Sequence, residues 1–442
     1  MINSCFSIYA RVRSMAIEKK EAKKLGCSKN YAYLCNGISV TEFPSRNFRD
    51  VGKCSQTWLI LISGMAKNVR SLRNPFVYQG YVSPVYFCDR TEETEELIAN
   101  LQNGRNTVLI SPRRIGKTGL IKNAFYRILE REKDAKCLYI DIFATKNQHD
   151  FVQLLGTAIA QEVLSRERKA VQRLLEFFGS WRPVFSTDPM TGQPTVSVSV
   201  QPTLTEVTLK TVFDYLKQSK SEVYIAIDEF QQITNYPESG IEALLRSYIQ
   251  FAPNVHFVFS GSKRHLMSQI FHSPDRPFYQ STVSMGLDPL HEEIYYDFAR
   301  RFFEAKKGSL SQDMFHHIYQ RFEGVTRNIQ LMLNRLYETE RHVTKAEQVE
   351  EAVRHIVNRS SMQYEELIGF LTDNQFSVVR AIAKEGLVES PQGADFIHRY
   401  DLPSSSSVKT ALDVLTDKDI VCRTPAGYIV YDHFFAIWLK RF

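Results

Sequence analysis

The 442-residue sequence predicts an α/β fold, a parallel sheet covered by helices, followed by an α-helical lid and a C-terminal winged helix domain. Three observations predict it. Short apolar β runs alternate with helical stretches up to Leu287, the pattern turns entirely helical through about Leu371, and the last seventy residues read helix, helix, helix, hairpin. Strands buried on both faces read as near-continuous apolar runs, and intervening helices provide the crossovers that parallel pairing needs.

Taken in order, Thr91 to Leu101 predicts a helix with acids in its first turn, where the helix dipole favours them. Thr107 to Ser111 (TVLIS) is a short β run. A turn follows, then a helix whose Leu120, Ile121, Ala124, Phe125, Ile128 and Leu129 recur at helical spacing. Further buried strands are expected at Cys137 to Phe143, Val223 to Asp228 and Val255 to Ser260. Between 182 and 202 the pattern breaks. The turn chemistry of Asp188 to Gly192 and the period-two alternation of Thr195 to Val200 predict an inserted β-hairpin. The closing hairpin, Asp419 to Val430, turns at Pro425-Ala426-Gly427. The expected domains are therefore a core over 65–287, a lid over 288–371 and a winged helix over 372–442.

Residues 1–64 fit none of this. They hold ten Lys/Arg against four Asp/Glu, so they carry the whole net charge of +6, and the remainder balances at 45 against 45. They lack a targeting-peptide pattern and read as a basic extension, disordered or upstream of a true start at Met65. With the body neutral, the overall charge makes no general case for nucleic acid. The longest apolar run, Trp58 to Ile62, is far short of the ~20 residues that cross a bilayer, so no membrane partner is expected. The seven cysteines show no C-x-x-C spacing, and His291-Glu292 lacks the second histidine of a zinc helix. Neither a metal–thiolate site nor a disulfide framework is expected, which suits a reducing cytoplasm.

The chemistry concentrates at three strand ends. Ser111-Pro112-Arg113-Arg114-Ile115-Gly116-Lys117-Thr118, with Gly119 behind it, lies between an apolar strand and a helix. That is the setting of a phosphate-binding loop. Backbone N–H groups and the helix dipole face the anion, Lys117 bridges the β and γ phosphates, and the Thr118 hydroxyl ligates Mg²⁺. The spacing matches G-x-x-x-x-G-K-[ST] except that Ser111 replaces the first glycine. Val223 to Asp228 ends in a second requirement, with Asp228 holding the metal through water and Glu229 polarising the attacking water. An acid pair alone is usually a solvated strand end; its joint occurrence with the loop favours function. Topology should place the third strand, which ends Phe259-Ser260-Gly261-Ser262, between these two, making Ser260 and Ser262 candidate γ-phosphate sensors. All of this requires the loop and the two carboxylates to converge on one triphosphate.

PRRIGKT, the strand with IDEFQQI, the FSGS tip and the closing VYDHFFAIWLKR together resemble the archaeal-type ATPase family, a relative of the STAND and AAA+ branches of P-loop NTPases. The resemblance covers Asn74 to Phe442. It implies ATP and Mg²⁺ as ligands, an adenine-approaching segment at Asp89-Arg90, and a lid arginine, Arg327, that reaches the γ-phosphate. Two residues depart from it. Ser281 stands where the family commonly has arginine, with Arg276 just upstream, and Thr326 replaces a usual proline. Without an arginine finger, worth roughly 10³ to 10⁵ in rate, hydrolysis by the lone chain should be slow. In the expected recognition helix, Ser404 to Leu415, Lys409 is opposed by Asp413 and Asp417. A protein partner or a second copy is thus favoured over DNA. Val408, Leu412 and Leu415, like Phe434, Phe435 and Trp438, read as core.

Overall fold

The computed structural model describes residues 72–166, 182–187 and 194–442; the basic N-terminal segment and the expected turn at Asp188 to Gly192 lie outside the described residues. The first half runs α1 (Thr91–Gln102), β1 (Thr107–Ile110), α2 (Lys117–Arg131), β2 (Lys136–Asp141), α3 (Gln148–Arg166), β3 (Arg182–Thr187), β4 (Pro194–Ser199), α4 (Thr205–Lys217), β5 (Val223–Asp228), α5 (Ile241–Gln250), β6 (Val255–Gly261), α6 (Arg264–His272) and β7 (Val283–Met285).

Five strands form one sheet in the order β2-β5-β6-β1-β7, all parallel. β6 therefore takes the expected place between β1 and β5. Successive side chains on a strand face opposite ways, and that alternation sorts the apolar residues into two cores. Tyr224 and Ala226 pack with Val258 under Leu120, Ala124 and Ile128 of α2. Ile225 and Ile227 pack with Phe257 and Phe259 on the other face, toward α3, α4 and α6. Every residue of β5 and β6 is buried, which explains their unbroken apolar runs. β3 and β4 form a separate antiparallel ladder with Phe185 opposite Val196. Val196, Val198 and Val200 are buried, and the Val198 N–H donates to Thr157 Oγ1 of α3 at 3.1 Å. β7, only three residues long, escaped the sequence pattern.

The second half comprises α7 (Glu292–Ala305), β8 (Ser309–Leu310), α8 (Gln312–Arg321), α9 (Thr326–Thr339), β9 (His342–Val343), α10 (Ala346–Arg359), α11 (Ser361–Gly369), α12 (Asp373–Glu385), α13 (Ala394–Arg399), α14 (Ser405–Asp417), β10 (Val421–Thr424), β11 (Gly427–Val430) and α15 (His433–Leu439). β8 and β9 pair in parallel over two residues each, too short to leave a mark in the sequence pattern. Ser404 caps α14 by accepting the Ser407 N–H, and Asp432 caps α15 by accepting from Phe434 and Phe435. One continuous core joins α7 to α15 and includes Val408, Leu412, Leu415, Phe434, Phe435 and Trp438. Phe322 after α8 meets Phe434 at 4.7 Å between ring centroids. Among the described residues, no helix is long and apolar enough to cross a membrane.

Candidate functional site

β1 ends at Ile110 and α2 begins at Lys117, so the intervening loop closes over a helix N-terminus whose first N–H groups have no partner within the helix. Gly116 has φ 107°, where a glycine avoids the cost of a Cβ. Arg114 also sits at positive φ, 67°, and is held there from two sides. Its carbonyl accepts the Arg327 N–H at 3.1 Å, and its guanidinium pairs with Asp432 at 2.7 Å. Ser111, the departure from glycine, is accommodated: its buried hydroxyl accepts the Leu287 N–H at 2.6 Å.

Lys117 is 7% exposed and donates to the Ser111 and Pro112 carbonyls at 2.7 and 2.8 Å. Burial pushes its pKa down to about 8, opposed by the nearby carboxylates of Asp228 and Glu229. Asp228, at the tip of β5, accepts from Thr118 Oγ1 (3.0 Å) and Tyr139 OH (2.5 Å) on one oxygen, and from Ser260 Oγ (2.5 Å) and the Glu229 N–H (3.0 Å) on the other. Glu229 accepts from Ser262 Oγ at 2.8 Å and Gln231 Nε2 at 2.5 Å. Ser262 in turn accepts from Arg113 Nε at 2.9 Å.

These groups open onto a cavity of about 410 Å³, within the range of small-ligand sites. Arg113, Arg114, Ile115, Gly116, Lys117, Thr118, Gly119, Asp228, Glu229 and Arg327 all line it. The structure thus brings the loop and both carboxylates to one place. Ser111, Pro112 and Ser260 are not in the wall; Ser260 lies fully buried behind Asp228. Arg327, at the start of α9, has its pKa lowered by burial and by the adjacent Arg114. Arg276 is elsewhere: it pairs with Glu242 and lines a second cavity beside Tyr236 and Gly240. Ser281 only bonds the Phe278 carbonyl, at 2.6 Å. Arg90 lines the main cavity and donates to the Ile115 and Asp288 carbonyls at 3.1 and 2.8 Å, whereas Asp89 accepts the Thr91 N–H at 3.2 Å, at the start of α1.

Sequence reasoning missed the rest of the wall, formed by Val77 to Ser83 and Tyr86 to Cys88 together with Leu290 and Gln330. One signal was available, the aromatic cluster Tyr78, Tyr81, Tyr86 and Phe87 outside any helix or strand pattern. Phe87 also accounts for Gly119: a Cβ there would come within 2.8 Å of its ring.

The winged helix region reaches the same site. Arg113 Nη1 pairs with Asp419 at 2.9 Å, and Arg114 pairs with the α15 cap Asp432 and lies over the Tyr431 ring at 5.6 Å. Asn328 of α9 hydrogen-bonds His433 at 3.2 Å.

The family described as "ATPase domain predominantly from Archaea" matches residues 87–332, more than half of the chain, and "Probable winged helix domain" matches 362–441. A Walker-type ATPase of Pyrococcus abyssi is similar at 16% identity, covering 83% of this chain and 99% of that one, with a TM-score of 0.57. The ORC2 protein of Aeropyrum pernix, in ADPNP and ADP complexes, is similar at 17% identity, covering 84% and 96%, with a TM-score of 0.54. At such identities the likeness concerns the fold. No curated protein matches the sequence. The chain belongs to the archaeal-type ATPase domain family, whose fold is that of nucleotide-binding P-loop ATPases.

Proposed function

Proceeding from that membership, we propose that the chain is a slow, Mg²⁺-dependent ATPase that works as a conformational switch, with its winged helix reporting the nucleotide state. One observation carries the reading. The two arginines of the phosphate loop are held by Asp419 and Asp432 of the winged helix region, so an anion entering the loop competes with the contacts that dock it. All four side chains are between a quarter and a third exposed, and such pairs contribute about 0–1 kcal/mol each. A nucleotide that binds about tenfold more tightly once the arginines have left their aspartates supplies about 1.4 kcal/mol of differential affinity, enough to shift such a pair.

The donor set suits Mg²⁺. The Thr118 hydroxyl and the Asp228 carboxylate already converge at 3.0 Å, and hard oxygen donors beside a phosphate site are what this ion takes. Thr118 and Asp228 would hold it, and it would neutralise charge on the β and γ phosphates. Lys117 would leave its two carbonyls for the phosphates. Glu229 would orient the attacking water and accept its proton, with Ser262 and Gln231 holding the carboxylate in place. Arg327, at the point where α9 meets the loop, would reach the γ-phosphate. Ser262 ties the base to Arg113, so a change at the γ-phosphate would be felt at Asp419.

Slowness follows from the arginines. Ser281 offers no cation, and Arg276 is engaged by Glu242. A finger supplied by a protein partner or a second copy would accelerate turnover. The test is the nucleotide retained by purified full-length protein. ADP in the wild type and ATP in Glu229→Gln are expected; equal ADP content in both would remove Glu229 as the base. A nucleotide-binding scaffold without turnover would show ATP in both, and Ser111's accommodated hydroxyl argues against that reading.

A further inference from the structure

The carboxylate at the tip of β5 has no lone pair to spare. A carboxylate offers about four acceptor places, two on each oxygen. Asp228 Oδ1 accepts from Ser260 Oγ at 2.5 Å and the Glu229 N–H at 3.0 Å, and Oδ2 accepts from Thr118 Oγ1 at 3.0 Å and Tyr139 OH at 2.5 Å. Thr118, Glu229 and Ser260 belong to the loop and strand ends that build the site. Tyr139 comes from outside it: it stands half-buried on β2, at the edge of the sheet, and lies outside the cavity wall.

Full occupancy suits an empty site and conflicts with a filled one. A buried carboxylate without partners is costly, so four donors hold the charge while nothing is bound. An ion ligated by Thr118 Oγ1 would meet Asp228 on Oδ2, the oxygen to which that hydroxyl is bonded. Mg²⁺ keeps most of its waters, and a water polarised by the ion needs an acceptor on the carboxylate. One donor on Oδ2 must give way.

Thr118 can stay, because its single proton already lies on Oδ2 and its lone pairs remain for the ion. The Oδ1 donors are fixed in place, the Glu229 N–H by the chain itself and Ser260 by full burial on β6 between β5 and β1. Tyr139 is the donor that can leave. Its hydroxyl is also hydrogen-bonded with that of Thr118, so it has a second partner to turn to, and Lys122 Nζ lies over its ring at 4.8 Å.

We propose that Tyr139 is a positioning residue that holds the place of a metal-bound water on Asp228 Oδ2 and yields it when Mg²⁺ arrives with ATP. This rests on the Mg²⁺-dependent nucleotide reading above. Tyr139 keeps the empty site satisfied and thereby weakens metal binding, since the ion's water enters only by displacing a hydrogen bond. Removing the hydroxyl leaves that lone pair open and strengthens the metal's contribution. Loss of a merely structural hydrogen bond does the reverse.

The experiment measures by calorimetry the dissociation constant of ATP for the full chain in excess Mg²⁺ and in EDTA, for wild type and Tyr139→Phe. The ratio of the two constants is the gain in affinity that the metal supplies. In Tyr139→Phe that gain should be about three- to tenfold larger than in wild type, the net worth of one exchanged hydrogen bond, with affinity in EDTA changed by less than about twofold. A gain equal to or smaller than that of wild type overturns the proposal, as does a larger ratio produced only by weaker binding in EDTA. Should Tyr139→Phe not fold, Tyr139→Met, which fills the space without a hydroxyl, is read the same way. A wild type that binds no ATP, or binds it equally with and without Mg²⁺, removes the nucleotide reading or its metal and this proposal with it. A wild type that gains from Mg²⁺ beside a Tyr139→Phe that gains no more removes this proposal alone.

Discussion

Two parts of the cavity wall are finished differently. At the phosphate end Lys117, Asp228 and Glu229 are hydrogen-bonded within the chain: Lys117 to two carbonyls, Asp228 to four donors, Glu229 to two side chains. Elsewhere in the wall Ser83 Oγ and Gln330 Oε1 are closed off from solvent and have no partner. The difference follows from what each atom costs to leave alone. A buried charge without partners is far more expensive than a buried neutral oxygen, so the charged end must satisfy itself and the neutral end can wait. Ligand binding at the phosphate loop is then an exchange of partners. Affinity and turnover should then both depend on how readily the charged groups give up the partners they hold.

The sharpest test of that division is Glu229→Gln. Turnover should fall by roughly 10² to 10⁴, the usual contribution of a general base, with ATP affinity changed little. A parallel loss of affinity would mean that the Glu229–Ser262–Arg113 chain builds the site rather than running the reaction. Next in size, Lys117→Ala should weaken ATP, GTP and inorganic triphosphate alike by about a hundredfold, read by calorimetry, because a charge-assisted contact to phosphate is lost whatever the base. Selective loss for one base would contradict a contact made to phosphate alone.

The pH dependence is a subtler probe of the same end. In free protein the Lys117 ammonium is held down at about 8 by burial, and a bound triphosphate raises that value. Between the two values binding takes up a proton, so affinity should be level below about pH 7 and fall by up to about tenfold per unit above about pH 8. An affinity that stays flat to about pH 10 would show that free Lys117 keeps its proton. The smallest effect concerns docking. Asp419→Asn, at a positive φ of 55° that asparagine tolerates, removes the Arg113 pair and should tighten ATP binding by about two- to fivefold. Weaker binding would mean that the pair supports the occupied state.

Much of the phosphate-loop part of the candidate site was legible because its residues are local. A strand, a turn and a helix N-terminus must be contiguous, so Ser111 to Gly119 announce a phosphate loop, and Asp228-Glu229 must follow an apolar run because they sit at a strand tip. The placing of β6 between β1 and β5 and the helix–hairpin order of the winged helix were legible for the same reason: periodicity and turn chemistry record backbone structure. Three features were decided only by the tertiary structure. Gln330 and Ser83 meet one cavity from 247 residues apart in the chain, Asp432 reaches Arg114 across a separation of 318, and Glu242 engages Arg276 across 34. None leaves a spacing to read. Each depends on which side chain a packed surface turns toward a distant one, and that is set by the two sheet-facing cores and the α7–α15 core together, not by any stretch of sequence.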